Sequence, residues 1–155
     1  MFKSIFKPTA PIVQKKTITI LHANDHKILR DGIRNMLLQH AHHIKIAGEA
    51  GSFDEVLSLL IKIPADILLL DNIMPGGDVM EVLPLIKKEC PKLKIIIFAM
   101  YNAPSKYLKQ MMEWTEGCLN FTASEEDIIK GIETVYCGGY YFHLYGYDNT
   151  LTEHE

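Results

Sequence analysis

Apolar residues in this chain fall into short solid runs, separated by longer stretches in which they recur every three or four positions. The runs TITILH, IKIAGEA, DILLLD and KIIIFAM are rich in β-branched residues and leucine. Such runs read as strands covered on both faces. Between the first two lies HKILRDGIRNMLLQH, with apolar residues at 28, 29, 33, 36 and 37, a helical spacing. Ser52 precedes FDEVLSLLIK with Glu55 three residues on, the pattern of a capping box opening a second helix. A third helix is expected over 79–89, ending near Pro91, with Pro84 inside it as a kink or early stop. PSKYLKQMMEW reads as a fourth helix, and 117–121 as a fifth, weak strand. SEEDIIKGIETVY reads as a fifth helix, capped by Ser124 and stopped by Gly138-Gly139.

Repeated alternation of strand and helix predicts an α/β architecture: a doubly wound parallel sheet of five strands in the order 2-1-3-4-5, with helices on both faces. The 155 residues suit one domain. A leader is expected over 1–16, the domain over 17–143 and a linker over 144–155.

Composition narrows the function classes. Hydrophobic residues make up 48% and charged residues 23%, with net charge −3, so nothing global argues for nucleic-acid binding by this segment. No apolar run approaches the roughly 18 residues of a membrane span, and the basic start lacks the apolar core of a secretory signal. Cys90, Cys118 and Cys137 form no CxxC pair, which fits a reduced, cytoplasmic setting.

The stretch DILLLDNIMPGGD delivers a single carboxylate, Asp71, to the end of a strand and then turns sharply. In an open parallel sheet of this order, function gathers at the carboxyl ends of the first and third strands. Those ends carry Asn24-Asp25 and Asp71. Carboxylates converging there repel each other and attract a hard cation such as Mg2+. Asp71 could then attack phosphorus to form an acyl phosphate.

On these residues the chain resembles a response-regulator receiver domain of the subfamily carrying a LuxR/NarL-type helix-turn-helix. ILHANDHKILRDGIRNML is similar to the subfamily's opening, LLLDNIMPGGD to its phosphoacceptor strand and loop, and GIETVYCGGYYF to its last helix and exit. The resemblance covers roughly 17–143 and implies a flavodoxin-like fold. It implies Asp71 as phosphoacceptor, Asp25 as the acid that touches Mg2+, and Ile73 as the position whose backbone carbonyl is a ligand. It also implies a sensor histidine kinase as phosphodonor, a homodimer, and DNA contact only through a C-terminal domain beyond this chain. Proteins of this kind are not usually classed as enzymes.

Departures from the family pattern are as informative. Asn24 stands at the first acidic position and offers oxygen without charge, a weak metal ligand. Ala99 replaces the hydroxyl residue that holds the phosphoryl oxygen, and Phe121 replaces the lysine that pairs with it. Cys118 takes the switch aromatic position, and Val79 the glycine after the GxD stretch. Together they suggest a degenerate receiver whose output is independent of phosphorylation. A working phosphoacceptor and a pocket sensing a small ligand stand as alternatives, and Lys106 as a candidate to replace the lost lysine.

Other motifs have plainer readings. Phe121 is expected to fill apolar space. Met111, Met112 and Trp114 read as packing, and HAHH at 40–43 as loop histidines without the acids or cysteines to complete a metal site. The tail YYFHLYGY reads as a cover for the sheet end or an interface. LTEHE at 151–155 is similar to the opening of a LuxR-type helix-turn-helix, with a capping-box pattern from Thr152 to Glu155.

Overall fold

The central strands are buried almost throughout, and their side chains alternate between the two faces of one sheet, so the core is split between both. The computed structural model describes residues 16–99 and 105–143. Strands β1 (Ile18–Ala23), β2 (Ile44–Ala50), β3 (Ile67–Asp71), β4 (Lys94–Ala99) and β5 (Gly117–Asn120) alternate with helices α1 (Lys27–His40), α2 (Phe53–Lys62), α3 (Val79–Glu89), α4 (Ser105–Met112) and α5 (Glu125–Tyr136). Every strand pair is parallel. Ile20, Ile67, Leu69, Ile96 and Leu119 point to one face, where Met36 and Leu37 of α1 and Ile128, Ile132 and Val135 of α5 cover them. Leu21, Leu68, Leu70, Ile95 and Ile97 point to the other, against α2, α3 and α4. Alternate strand residues face opposite sides, so leucine and isoleucine runs are what such strands need. Each fully buried side chain contributes about 1.5–3 kcal/mol.

The sheet has six strands, not the expected five: a short β6 (Tyr141–His143) adds beside β5, giving the order β2-β1-β3-β4-β5-β6. Gly138 makes this possible at φ +96°, where the chain turns back after α5. The Tyr141 amide donates to the Glu116 carbonyl at 3.0 Å. Its ring lies over Gly131, where a Cβ would come within 2.9 Å of it. The first part of the YYFH tail thus covers the sheet edge.

Helix starts follow local chemistry, with one amendment. Ser52 Oγ accepts from the Glu55 amide at 3.2 Å, but the Glu55 carboxylate accepts from Gly51, one residue before the cap. Around Ser124 the box is complete, with Asp127 as partner. Pro84 sits inside α3 without shortening it. The strands end at Ala99 and Asn120, so Phe121 follows β5. Residues 1–15 of the expected leader and the linker with its LTEHE motif lie outside the described residues, as does Met100. Among the described residues no helix is long and apolar enough to cross a membrane.

Candidate metal and phosphoacceptor site

Asp71 sits at the end of a strand whose five residues are all buried, and is itself 1% exposed. Its Oδ1 accepts from the Ile73 amide at 2.9 Å, which starts the turn that the sequence suggested. Gly76 and Gly77, at φ +100° and +134°, carry the loop through conformations open to glycine. The Pro75 carbonyl accepts from the Phe53 amide at 2.9 Å, and Asp78 caps α3 through the Met80 amide. Val79, buried at 1%, serves the core. Ile73 is 64% exposed in this loop.

Across the switch point, β1 ends by donating the Asn24 amide to Ala50 at 2.9 Å. Asn24 is buried, and its Oδ1 accepts from the His26 amide at 2.8 Å, so its oxygen is committed to shaping the turn into α1. Arg30 holds the same turn by donating to the Asn24 carbonyl at 2.6 Å. This turn sets Asp25 and His26 facing Asp71. Asp25 Oδ1 lies 2.9 Å from His26 Nδ1, and donor atoms of Asp25, His26 and Asp71 all lie within 4.8 Å of one another.

The electrostatics favour a cation. Burial pushes the Asp71 carboxyl above the usual carboxylate range, and the nearby Asp25 charge adds to this, while the Ile73 amide pulls the other way. Among the described residues no lysine or arginine forms an ion pair with Asp25 or Asp71; Lys27 is turned to Asp31 at 2.6 Å. The donor chemistry of the group therefore fits a divalent ion.

The neighbouring ends of β4 and β5 are apolar. Ala99 is 3% exposed and brings no hydroxyl. Phe121 packs its ring on Phe98, centroids 4.9 Å apart, and its amide donates to the Ala99 carbonyl at 3.3 Å. Phe98 is the register neighbour of Asp71. Cys118 is buried beneath α4, its thiol pushed up to about 12 by burial, and so is unreactive. Lys106 is exposed on α4.

Sequence reading missed His26. The signal was its place directly after Asp25, but its role depends on the turn that Asn24 closes. The HAHH histidines behave otherwise: His43 Nε2 lies 2.6 Å from Glu133 and His40 Nε2 3.5 Å from Glu125, both on α5. Met111 is core, and Trp114 packs partly buried against it.

A family model described as the response regulator receiver domain matches residues 20–133. The chain belongs to this family. Among relatives of the receiver domain, the transcriptional regulatory protein MctR of Rhizobium johnstonii is 25% identical over 92% of this chain and 66% of its own length. The nitrate/nitrite response regulator protein NarL of Escherichia coli is 28% identical over 77% of this chain, which spans 55% of NarL. These relatives are LuxR-family response regulators. Among solved structures, the non-phosphorylated receiver domain of RcsB from Escherichia coli superposes with a TM-score of 0.77 at 27% identity, covering 83% of this chain and 99% of that one. The isolated RcsB receiver of Salmonella enterica serovar Typhimurium, solved with phosphomimetic BeF3-, gives 0.76 at 27% identity, with 83% and 94% covered.

Proposed function

We propose that this receiver domain controls its output through dimerisation or partner binding, independently of phosphorylation at Asp71. The observation that carries this is the Phe98–Phe121 ring pair beside Asp71. A lysine ammonium there would give a phosphoryl group a charge-assisted hydrogen bond of about 1.5–3 kcal/mol; an aromatic ring gives none. Ala99 withdraws the hydroxyl contact as well. A ligand shifts an equilibrium only by its differential affinity for the two states. With both contacts gone, a phosphoryl group has little to hold that distinguishes one arrangement of β4 and α4 from another.

Asp25, Asp71 and the Ile73 carbonyl are the groups that would hold a magnesium ion, with Asn24 contributing little because its oxygen serves the His26 amide. Such an ion, when bound, would screen the paired carboxylates. In the intact protein the domain would act in the cytoplasm as a homodimer and position a C-terminal DNA-binding domain at 151 onward. The longer relatives support that reading, as does a solved structure of two RcsB dimers bound to two parallel DNAs.

A second reading, phosphotransfer from a sensor histidine kinase to Asp71, is favoured by the convergence of Asp25 and Asp71. Ligand sensing at the switch point has less support. A groove of about 430 Å3 lined by Leu60, Ile63, Pro64, Cys90 and Leu93 lies at the opposite end of β3.

The test is intact mass and sedimentation after incubation with Mg2+ and a small acyl phosphate, beside Asp71→Asn. The proposal expects the oligomeric state to be the same in every sample. Stoichiometric phosphorylation that changes the oligomeric state, and is lost in Asp71→Asn, would favour the second reading.

A further inference from the structure

Two glycines on different elements leave room for one residue of β6. A Cβ on Gly131 of α5 would lie 2.9 Å from the Tyr141 ring, and a Cβ on Gly117 of β5 would lie 2.8 Å from the Tyr141 carbonyl. The Tyr141 hydroxyl donates to Asp127 Oδ1 at 3.3 Å, and its amide to the Glu116 carbonyl at 3.0 Å. Ring, hydroxyl and backbone thus share one socket, which a side chain at either glycine would fill. We propose that Tyr141 is the pin of a latch: β6 docks and releases as a unit while β1 to β5 stay paired.

Docking is specific but shallow. β6 has three residues, all half-buried, whereas its neighbours Gly117, Cys118 and Leu119 on β5 are buried. Phe142 packs partly buried on the face opposite Tyr141, and Tyr140 stacks on it while 67% exposed. His143 opposes docking. Its Nδ1 is buried with no hydrogen-bond partner, a state that costs free energy and ends when water reaches the ring.

The connections let β6 leave alone. It pairs only with β5, at the end of the sheet, so its release breaks no other pairing. Asp127 keeps its bonds from the Ser124 amide and hydroxyl, so the cap of α5 does not depend on the latch. Gly138, at φ +96° and with open space around it, and Gly139 form the hinge. Release hands residues 137–143 to the chain that follows, roughly 20 Å of added reach at about 3.3 Å per residue. The latch therefore sets how closely α5 holds that chain. Its consequence for an output domain rests on the function proposed above; the latch itself does not.

The experiment is native-state amide hydrogen exchange on the full chain, with wild type, Gly131→Ala, Tyr141→Phe and Gly32→Ala. Gly32 lies on α1 with nothing within 4 Å of an added Cβ, so its replacement changes helix stability far from the socket. The proposal expects the wild-type Tyr141 amide to exchange at least about 100-fold faster than those of Ile96 and Ile97, at a rate insensitive to low urea. Gly131→Ala should speed that amide at least about 10-fold further. Tyr141→Phe should speed the amide of residue 141 about 2–10-fold, and Gly32→Ala should leave it unchanged while slowing Ile96 and Ile97. A Tyr141 amide that exchanges with β4, or that follows β4 in urea and in Gly32→Ala, would overturn the proposal. So would exchange of β6 unmoved by both socket variants. That failure leaves the phosphorylation-independent reading standing, because that reading is decided by the oligomeric state.

Discussion

Phe121 packs tilted on Phe98 with ring centroids 4.9 Å apart, and Phe98 is paired in register with Asp71. In the function proposed above, this apolar contact occupies the place from which an ammonium would reach a phosphoryl group. The Phe121 amide donates a hydrogen bond to the Ala99 carbonyl, which ties the ends of β4 and β5 together. On the proposed reading, the carboxylates remain while the groups that would answer to a phosphoryl group are replaced.

Restoring those groups should restore the answer. Phe121→Lys alone loses an aromatic pair worth about 0.5–1.5 kcal/mol beyond its area, and urea denaturation should show a loss of that order. Combined with Ala99→Thr, it should lengthen the lifetime of any acyl phosphate on Asp71, read by intact mass against time.

Removing the buried charge should stabilise the fold when no divalent ion is present. The Asp71 carboxyl is held above the usual range by burial first and by Asp25 next. A raised carboxylate value means that the folded state disfavours the ion. The penalty is full above the folded value and absent below the unfolded one, near 3.8. Asp71→Asn in chelator should raise Tm at pH 7, by about 2–4 °C for each kcal/mol relieved, and the gain should vanish in acid. A calorimetric scan at both pH values checks it.

His22 gives a pH dependence of the opposite sign. It is 2% exposed, its Nδ1 has no hydrogen-bond partner, and burial lowers it from 6.5 to about 4. Glu49 of β2 opposes that shift, while Arg30 and Arg34 of α1 add to it. The unfolded chain therefore binds the proton first as pH falls. Stability is full above pH 6.5 and declines toward pH 4, by about 2 kcal/mol at pH 5. Urea midpoints at pH 7.5 and 5 should show this, and His22→Gln should remove that share of the slope.

The turn that presents Asp71 should not tolerate a side chain. Gly76 sits at φ +100°, a backbone conformation that a side chain strains, while the space around it would admit a Cβ at ordinary contact distance. Gly76→Ala should cost about 1–3 kcal/mol by denaturation, with the other elements intact by circular dichroism.

Much of this was legible before the structure. Short runs such as ILLLD, bounded by turn residues, read as strands buried on both faces, and their alternation with helices pointed to a parallel sheet whose switch point lies between the first and third strands. Asp71 and Asp25 followed from that topology alone, and Phe121 as apolar filler followed from chemistry. What escaped depended on contacts distant in sequence or on the shape of a loop. The three residues of β6 show no period; they become a strand because the edge of β5 is open and Tyr141 finds Gly131. His26 faces Asp71 only because Asn24 spends its oxygen on the next turn. Glu55 bonds to Gly51 instead of Ser52, a choice that spacing cannot make.

The most direct test of the account is an amide NMR titration of the chain with Mg2+ and the phosphomimetic beryllofluoride. The account predicts shifts confined to the loops bearing Asn24, Asp25, His26 and residues 71–78, with Ala99, α4, Cys118 and Phe121 unmoved. A concerted shift through β4, α4 and β5 at stoichiometric beryllofluoride would contradict it, because it would show that the site still drives the rest of the fold.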